Sequence, residues 1–282
     1  METPEQPLRI TPEMLLGRRV DFERRMPRRP PVTLVIIGML AIVFLVERAR
    51  GALDSAASLI AFGALSRPEV FAGEYWRLES ATWLHGGVNH LVSNAIALFI
   101  LGMICEHAFG RAQYVLLYVL SGLGGSVLSV LISEGPSVGA SGAIFGLQGA
   151  AIVLFRRHRE RILMRDRRIG VVLLVWAIYS IGTGLISPFI DNGAHIGGAV
   201  TGALIARRLH AVALDPMPAE RARTVRRWLW FVSALLAATV VAWTAGRRKG
   251  AICVVGSVGV SLRRTRSTPQ SPLLRRLASG PF

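Results

Sequence analysis

Long apolar stretches alternate with short charged blocks along this chain, in the pattern typical of membrane-spanning helices. A span needs about 20 predominantly apolar residues, and it must be helical because lipid offers no partner for backbone N–H and C=O groups. We expect the first and sixth spans, which are short, to extend into flanking sequence. The pattern predicts seven spans: Val32–Val46, Val88–Cys105, Tyr114–Ile132, Val138–Phe155, Ile169–Ile186, Ala194–Ala206 and Trp228–Ala245.

The composition also favours an all-α polytopic membrane protein. The chain is 52% hydrophobic, has a mean hydropathy of +0.46 and is only 18% charged, less than the roughly 25% of a typical soluble domain. Its two cysteines, Cys105 and Cys253, set no disulfide framework or metal site, and we expect no cofactor. The first apolar run begins at Val32, so we expect no secretory signal peptide.

The positive charges predict the orientation of the spans. Arginines concentrate in the N-terminal segment, after the fourth span (Arg156–Arg168) and after the sixth (Arg207–Arg227). These regions share one side if successive spans alternate in direction, and the positive-inside bias makes that side cytoplasmic. The net charge of +16 is therefore explained by topology and by anionic lipids at the cytoplasmic face. No motif indicates a nucleic-acid partner.

The domain organisation follows from the spans and the charge blocks. Past the seventh span, Arg247, Arg248 and Lys249 would lie outside, so either that helix crosses and the charge bias fails there, or it does not cross. We expect the tail after it to be disordered. The predicted segments are a basic cytoplasmic N-terminus (1–31), a six-span core (32–210), a basic cytoplasmic linker (211–227), a seventh span (228–245) and a basic low-complexity tail (246–282).

Four of the polar residues inside the predicted spans cluster, and polar groups inside spans are costly and usually functional. His90 and Asn94 lie in the first turns of the second span, Ser141 at the start of the fourth and His195 at the start of the sixth. All three spans enter the membrane from the non-cytoplasmic side. We therefore expect the four side chains to lie at a similar depth.

The residue types suit nucleophilic catalysis. A serine hydroxyl becomes a useful nucleophile beside a general base, and a neutral imidazole can serve, so we expect Ser141 as nucleophile and His195 as base. His90 and Asn94 share a helical face at i, i+4 and offer donors for an oxyanion, as does the Ser141 backbone N–H. The nearest carboxylate, Asp191, is expected in the preceding loop, which favours a Ser–His dyad over a triad.

Paired glycines support a close approach of the two helices. Gly142 and Gly146 in the fourth span, and Gly198 and Gly202 in the sixth, are small-xxx-small pairs, which let helix backbones pack closely. If these faces meet, the serine and the histidine come together at the end of the contact.

In these motifs the sequence resembles the rhomboid family of intramembrane serine proteases, over roughly Val32 to Leu209. The resemblance lies in Gly139-Ala140-Ser141-Gly142, in His85-x4-His90-x3-Asn94, in Ala194-His195-x2-Gly198-x3-Gly202, in Trp76-Arg77 and in Glu106. Glu79 departs from the apolar or hydroxyl residue expected after the Trp-Arg pair.

This resemblance implies a six-helix rhomboid-like core with a seventh transmembrane helix. It also implies that Ser141 attacks the scissile carbonyl, that His195 takes the proton, and that His90, Asn94 and the Ser141 amide hold the oxyanion. Inactive relatives often carry proline before the serine; Ala140 here indicates an active enzyme. The implied substrates are transmembrane proteins cut near small residues, and the implied location is a cell membrane, as in a bacterial inner membrane.

Two other functions stay open on the sequence. A catalytically silent binder of transmembrane helices would keep the same fold, and a small-molecule transporter would also have polar residues near mid-membrane. Taken alone, Ser141 reads as a packing residue in a glycine-rich span. His85 is expected to be structural, Trp76 and Arg77 to be interface anchors, and Gln148 to make an interhelical hydrogen bond.

Overall fold

A computed structural model of the 282-residue chain describes residues 19–187 and 190–264, whose regular structure is helical apart from isolated β-bridges. The all-α fold predicted from the sequence is confirmed. A 3₁₀ turn, Ala81–Trp83, follows the fifth of ten α-helices in these residues. The helices are α1 (Phe22–Arg25), α2 (Pro31–Ala49), α3 (Ala56–Phe62), α4 (Arg67–Phe71), α5 (Arg77–Ser80), α6 (Val88–Ile132), α7 (Ser141–Arg157), α8 (Met164–Ile186), α9 (Asn192–Ala206) and α10 (Ala219–Arg264).

Helix α6 contains the second and third predicted spans. Its backbone leaves helical geometry at Gly110 (φ 74°, ψ 161°), which divides it into a first arm (88–109) and a second arm (111–132). His90 on the first arm and Gly125 on the second both approach the segment 139–142. The two arms therefore run in opposite directions and make two passes, as the sequence predicted.

Helices α7 and α9 pack at the centre of the bundle against the second arm of α6. They have 17 and 15 residues, fewer than the roughly 20 of a full span. Four helices in the described part of the chain are long and apolar enough to cross a membrane by themselves: α2, α6, α8 and residues 219–245 of α10. The bundle is thus a polytopic membrane fold in which the central helices α7 and α9 are shorter than the four long apolar helices.

Helix α2 begins at a proline and is capped by another helix. Pro31 occupies the first helical turn, and Pro30 before it supplies no side-chain cap. Instead, the Glu106 carboxylate on α6 accepts hydrogen bonds from the backbone N–H groups of Val32 (3.0 Å) and Thr33 (2.9 Å). An anionic cap is favourable at a helix N-terminus because the free N–H groups there carry partial positive charge.

The basic regions meet at one end of the bundle, as the charge pattern predicted. The backbone N–H of Val20 donates to the Arg161 carbonyl at 2.8 Å, and the Arg161 guanidinium pairs with Asp215 at 2.7 Å. The N-terminal segment, the α7–α8 connection and the α9–α10 connection therefore lie together. Arg156, Arg157 and Arg207 at this end are exposed.

Helix α10 runs from this basic end to the opposite one. Its Trp243 donates an indole hydrogen bond to the Phe62 carbonyl at 2.6 Å, and the two rings pack edge to face. Phe62 lies in the segment between α2 and α6, at the end away from the basic regions. Helix α10, which contains the predicted seventh span, therefore extends from one end of the bundle to the other. It continues through Arg264, past the predicted end of the seventh span at Ala245. Residues 1–18 of the predicted N-terminal segment and 265–282 of the tail lie outside the described residues.

Helix α8 is the most loosely attached of the core helices. Only Asp166 and Leu173 on it are buried. The Gln148 side chain on α7 donates to the Leu173 carbonyl at 2.9 Å, so the predicted interhelical hydrogen bond is present.

Candidate active site

Ser141 begins α7, directly after a tight backbone turn. Gly139 has φ +126°, in the region that favours glycine, and a Cβ there would lie 2.7 Å from His90 Cε1. Ala140 is the N-cap and Ser141 the first helical residue. The backbone N–H of Ser141 consequently belongs to the first turn, whose N–H groups have no intrahelical acceptor.

His90 and Asn94 come from the first arm of α6 and face this turn. The amide Nδ2 of Asn94 lies 3.4 Å from where a Gly139 Cβ would stand. Asn94 is only 7% exposed, yet its Nδ2 has no hydrogen-bond partner among the described residues. A buried donor without an acceptor is unfavourable by about 1–3 kcal/mol, which is typical of a group that serves a bound species.

His195 lies in the first turn of α9 and stacks on α7. Its ring is parallel to that of Phe145, with centroids 4.0 Å apart and an interplanar angle of 12°. Phe145 follows Ser141 by four residues, so both occupy the same face of α7. The structure thus brings the two helix faces that carry Ser141 and His195 against each other.

The paired glycines set the distance between α7 and α9. A Cβ on Gly198 would overlap the Gly142 carbonyl, and a Cβ on Gly202 would overlap the Gly146 carbonyl. The backbones of α7 and α9 touch at these positions because glycine has no Cβ, and any larger residue would clash. The register matches the two small-xxx-small pairs read from the sequence, pair against pair.

No carboxylate of the described residues makes a hydrogen bond to the His195 ring. Among the described residues, no hydrogen bond joins Ser141 to His195, and His195 Nδ1 is buried without a partner. Hydrogen bonds of catalytic groups are often long in a free enzyme and tighten when substrate binds. The arrangement is compatible with a dyad, and it has no orienting acid at the ring.

Asp191 makes contacts with α6 that the sequence did not reveal. Its carboxylate accepts hydrogen bonds from the hydroxyls of Ser129 and Ser133 and from the Ala194 amide. Burial opposes ionisation, but these donors together hold the pKa of Asp191 below its usual range. An Asp followed by Asn-Gly before an apolar run is an N-cap signal, so the cap itself was predictable.

The segment between α2 and α6 folds over the site end and is organised by Arg77. The guanidinium of Arg77 donates to the carbonyls of Ile60 and Ala64, pairs with Glu74 at 2.7 Å and lies 4.7 Å from the Trp76 ring centroid. At 5% exposure it is a buried structural centre of this segment.

Glu79, the residue that departs from the family pattern, is a buried member of the same segment. It accepts a hydrogen bond from the Trp83 indole at 3.1 Å. Burial raises the pKa of Glu79 to about 7. His85 is also buried, its backbone N–H donating to the Glu47 carboxylate at 3.1 Å and its ring packing 5.2 Å from that of His90.

A small cavity lies behind the turn that precedes α7. Its wall includes the backbone of Gly139 and Gly142, on either side of the nucleophile candidate, and the hydroxyl-bearing residues Thr82, Ser126 and Ser137. The cavity is partly polar and adjoins the site.

Comparison with known proteins identifies relatives over this core. A family model described as "Rhomboid domain" matches residues 72–212. The chain is 35% identical over 181 residues to "Rhomboid protease GluP" of Bacillus subtilis, covering 64% of this chain and 35% of that protein. It is 32% identical over 199 residues to "Rhomboid protease AarA" of Providencia stuartii, covering 62% of this chain and 70% of that protein. It is 42% identical over 154 residues to "RHOMBOID-like protein 4" of Arabidopsis thaliana, covering 54% of this chain and 38% of that protein. The chain thus spans well under half of the length of several relatives that it matches.

Proposed function

Since this chain belongs to the rhomboid family, we propose that it is a serine endopeptidase that hydrolyses peptide bonds in or near the transmembrane helices of other membrane proteins. The observation that carries the proposal is the convergence of Ser141, His195, His90 and Asn94 at one end of a membrane bundle. A packing role for Ser141 alone would not require two histidines and a buried, unpaired amide around it.

In the proposed reaction, Ser141 Oγ attacks the scissile carbonyl carbon while His195 accepts the hydroxyl proton. The imidazolium then protonates the leaving amine, and the acyl-enzyme is released by water that His195 deprotonates in turn. The stacking of His195 on Phe145 limits rotation of the imidazole. That restriction supports a base whose orientation is set by packing rather than by a third side chain.

We assign the oxyanion to donors that are unpaired in the free protein. The Asn94 amide has no acceptor among the described residues, and the Ser141 N–H lies in the first turn of α7. The His90 ring borders the same turn. Donors fixed before the reaction stabilise the developing negative charge without reorganising, which makes this term large in acyl transfer.

The proposed substrates are single transmembrane helices that unwind at small residues next to the site. The narrow space around Gly139 and Gly142 favours substrate residues with small side chains. At the opposite end of the bundle, exposed arginines such as Arg156 and Arg207 suit anionic lipid headgroups. They support the proposal that this end faces the cytoplasm in a cell membrane, as in a bacterial inner membrane.

Labelling with a fluorophosphonate tests whether Ser141 is an activated nucleophile. Purified protein in detergent should label, Ser141→Ala should not, and His195→Ala should label at least about 100-fold more slowly because the base is lost. Ser93→Ala is the matched control, since Ser93 is an exposed serine on α6 at the same end of the bundle, and it should label like the wild type. A folded wild-type protein that does not label, or a Ser141→Ala variant that still does, would favour a catalytically silent helix binder.

A further inference from the structure

Asp191 fastens the helix of the base to its neighbour. One carboxylate oxygen accepts from the Ser129 hydroxyl. The other accepts from the Ser133 hydroxyl at 2.6 Å and from the Ala194 N–H at 3.0 Å. The side chain therefore caps α9 and at the same time fixes its first turn to the last turn of the second arm of α6.

His195 belongs to the turn that Asp191 fixes. The His195 N–H donates to the Asp191 carbonyl at 3.2 Å, so backbone and side chain of one residue hold the start of the helix. Between them, Gly193 brings the backbone so close to α6 that a Cβ would lie 2.5 Å from Ser133 Oγ and 3.0 Å from Ser129 Cα. The depth and rotation of the His195 backbone are consequently set by this contact.

The His195 ring has little else to orient it. Phe145 restrains the plane of the ring by stacking but does not fix its height along α7, and Nδ1 has no partner among the described residues. Orientation of the imidazole relative to Ser141 must then come chiefly from the backbone of its own turn.

We propose that Asp191 is a positioning residue for His195, acting through the hydroxyls of Ser129 and Ser133; the inference rests on the proposed function. The acid of a catalytic triad orients the histidine through a hydrogen bond to its ring, whereas Asp191 orients His195 through the backbone of the helix turn. Small displacements of a catalytic group are expensive, since a misplacement of about 1 Å can lower the rate by about 100-fold.

Four variants separate positioning from simple stabilisation. Asp191→Ala removes the cap and the docking contact, whereas Ser129→Ala/Ser133→Ala removes the two hydroxyls at the end of α6 and leaves the cap. Asp191→Asn keeps an N-cap of similar quality and can still bond both hydroxyls. Asp21→Ala is the matched control, because Asp21 caps α1 by accepting from Arg24 N–H at 3.1 Å, at the far end of the bundle.

Each variant is assayed for kcat and KM on a membrane-inserted single-span peptide, for fluorophosphonate labelling of Ser141 and for thermal stability. We expect Asp191→Ala and the double serine variant to lose about 10- to 100-fold in kcat and labelling rate, with KM unchanged. Asp191→Asn should recover most of both rates, and Asp21→Ala should match the wild type in both. A lowered Tm with normal kcat and labelling in Asp191→Ala would overturn the proposal, as would an Asn variant as slow as the Ala variant.

Failure of the proposed function has a different signature, because wild type and variants would then be equally inert to probe and peptide. In that case the rate at which diethylpyrocarbonate modifies His195, followed by mass spectrometry, decides the positioning. A changed rate in Asp191→Ala and the double serine variant, restored in Asp191→Asn, supports it. Equal rates in all the variants contradict it.

Discussion

At the scale of single residues, two side chains of the site have buried polar atoms without hydrogen-bond partners among the described residues. Asn94 Nδ2 and His195 Nδ1 both lack hydrogen bonds among the described residues, although buried polar groups are almost always paired. A protein tolerates such atoms where they serve a ligand or a reaction. Their position around the start of α7 links them to the chemistry proposed for Ser141.

Removing one oxyanion donor should slow the reaction strongly. We expect Asn94→Ala to lower kcat by about 100- to 1,000-fold, since the donor acts mainly on the charge of the transition state, and we expect a comparable loss for His90→Ala. The check is steady-state cleavage of a single-span peptide in liposomes. Asn89→Ala, an exposed asparagine in the same turn as His90, is the control and should cleave normally. Unchanged kcat in both test variants would show that the oxyanion is held elsewhere.

The sequence was sufficient to select these residues but not their supporting contacts. Ser141, His90, Asn94 and His195 stand out because polar groups are rare inside spans, and a shared depth follows from topology alone. The stacking of Phe145 on His195 has no such signal, because an apolar residue in a span is ordinary. Contacts of this kind depend on helix packing across long sequence separations.

At the scale of helices, backbone contact between α7 and α9 determines whether the site can form. Gly198 lies against Gly142 and Gly202 against Gly146. Gly–Gly contacts of this type replace the hydrophobic driving force that helices lack in lipid. The pairing was predictable from the spacing of the glycines, since each pair stands just after one of the two catalytic candidates.

An added methyl group at this contact should therefore be harmful. Gly198→Ala is expected to force the backbones apart, to lower stability by about 1–3 kcal/mol and to reduce the rate of cleavage. Gly182→Ala in α8 is the matched control: its Cβ meets nothing within 4 Å, and alanine in a helix is ordinarily more favourable than glycine. Thermal unfolding in detergent and cleavage rate are compared for both. Equal behaviour of the two variants would contradict the packing argument.

The boundaries of α7 and α9 were predicted within three residues, and the start of α8 was predicted less well. The predicted spans Val138–Phe155 and Ala194–Ala206 begin within three residues of α7 and α9. At the basic end, α7 continues through Arg157 and α8 begins at Met164, inside arginine-rich sequence that a hydropathy pattern excludes. Arginine has high helix propensity, so a helix extends past its apolar part into the headgroup region.

At the scale of the whole molecule, the bundle has two chemically distinct ends. One end gathers the N-terminal segment and the connections after α7 and α9, joined by contacts such as Arg161 to Asp215. The other end holds the site, covered by the segment that Arg77 organises. The sequence predicted these two different ends. Its basic segments fall at one end of successive spans, and the polar residues of the site fall at the other end.

The direction of α10 bears on whether the predicted seventh span crosses the membrane, which the sequence left open. The basic residues after Ala245 argued against a crossing, whereas the Trp243 contact with Phe62 places the end of that span beside the segment covering the site. This contact fixes which end of the bundle the helix reaches, and it supports the predicted seventh span.

The central claim is that this bundle cuts peptide bonds inside a bilayer with Ser141 and His195. The most direct test reconstitutes wild type, Ser141→Ala and His195→Ala in liposomes with a single-span peptide. The peptide carries a fluorophore and a quencher on either side of a glycine- and alanine-rich segment. We predict cleavage within or beside that segment by the wild type and none above background by either variant, with all three proteins folded and inserted. Cleavage that persists in either variant, or a well-folded wild type that leaves every such peptide intact, would contradict the account.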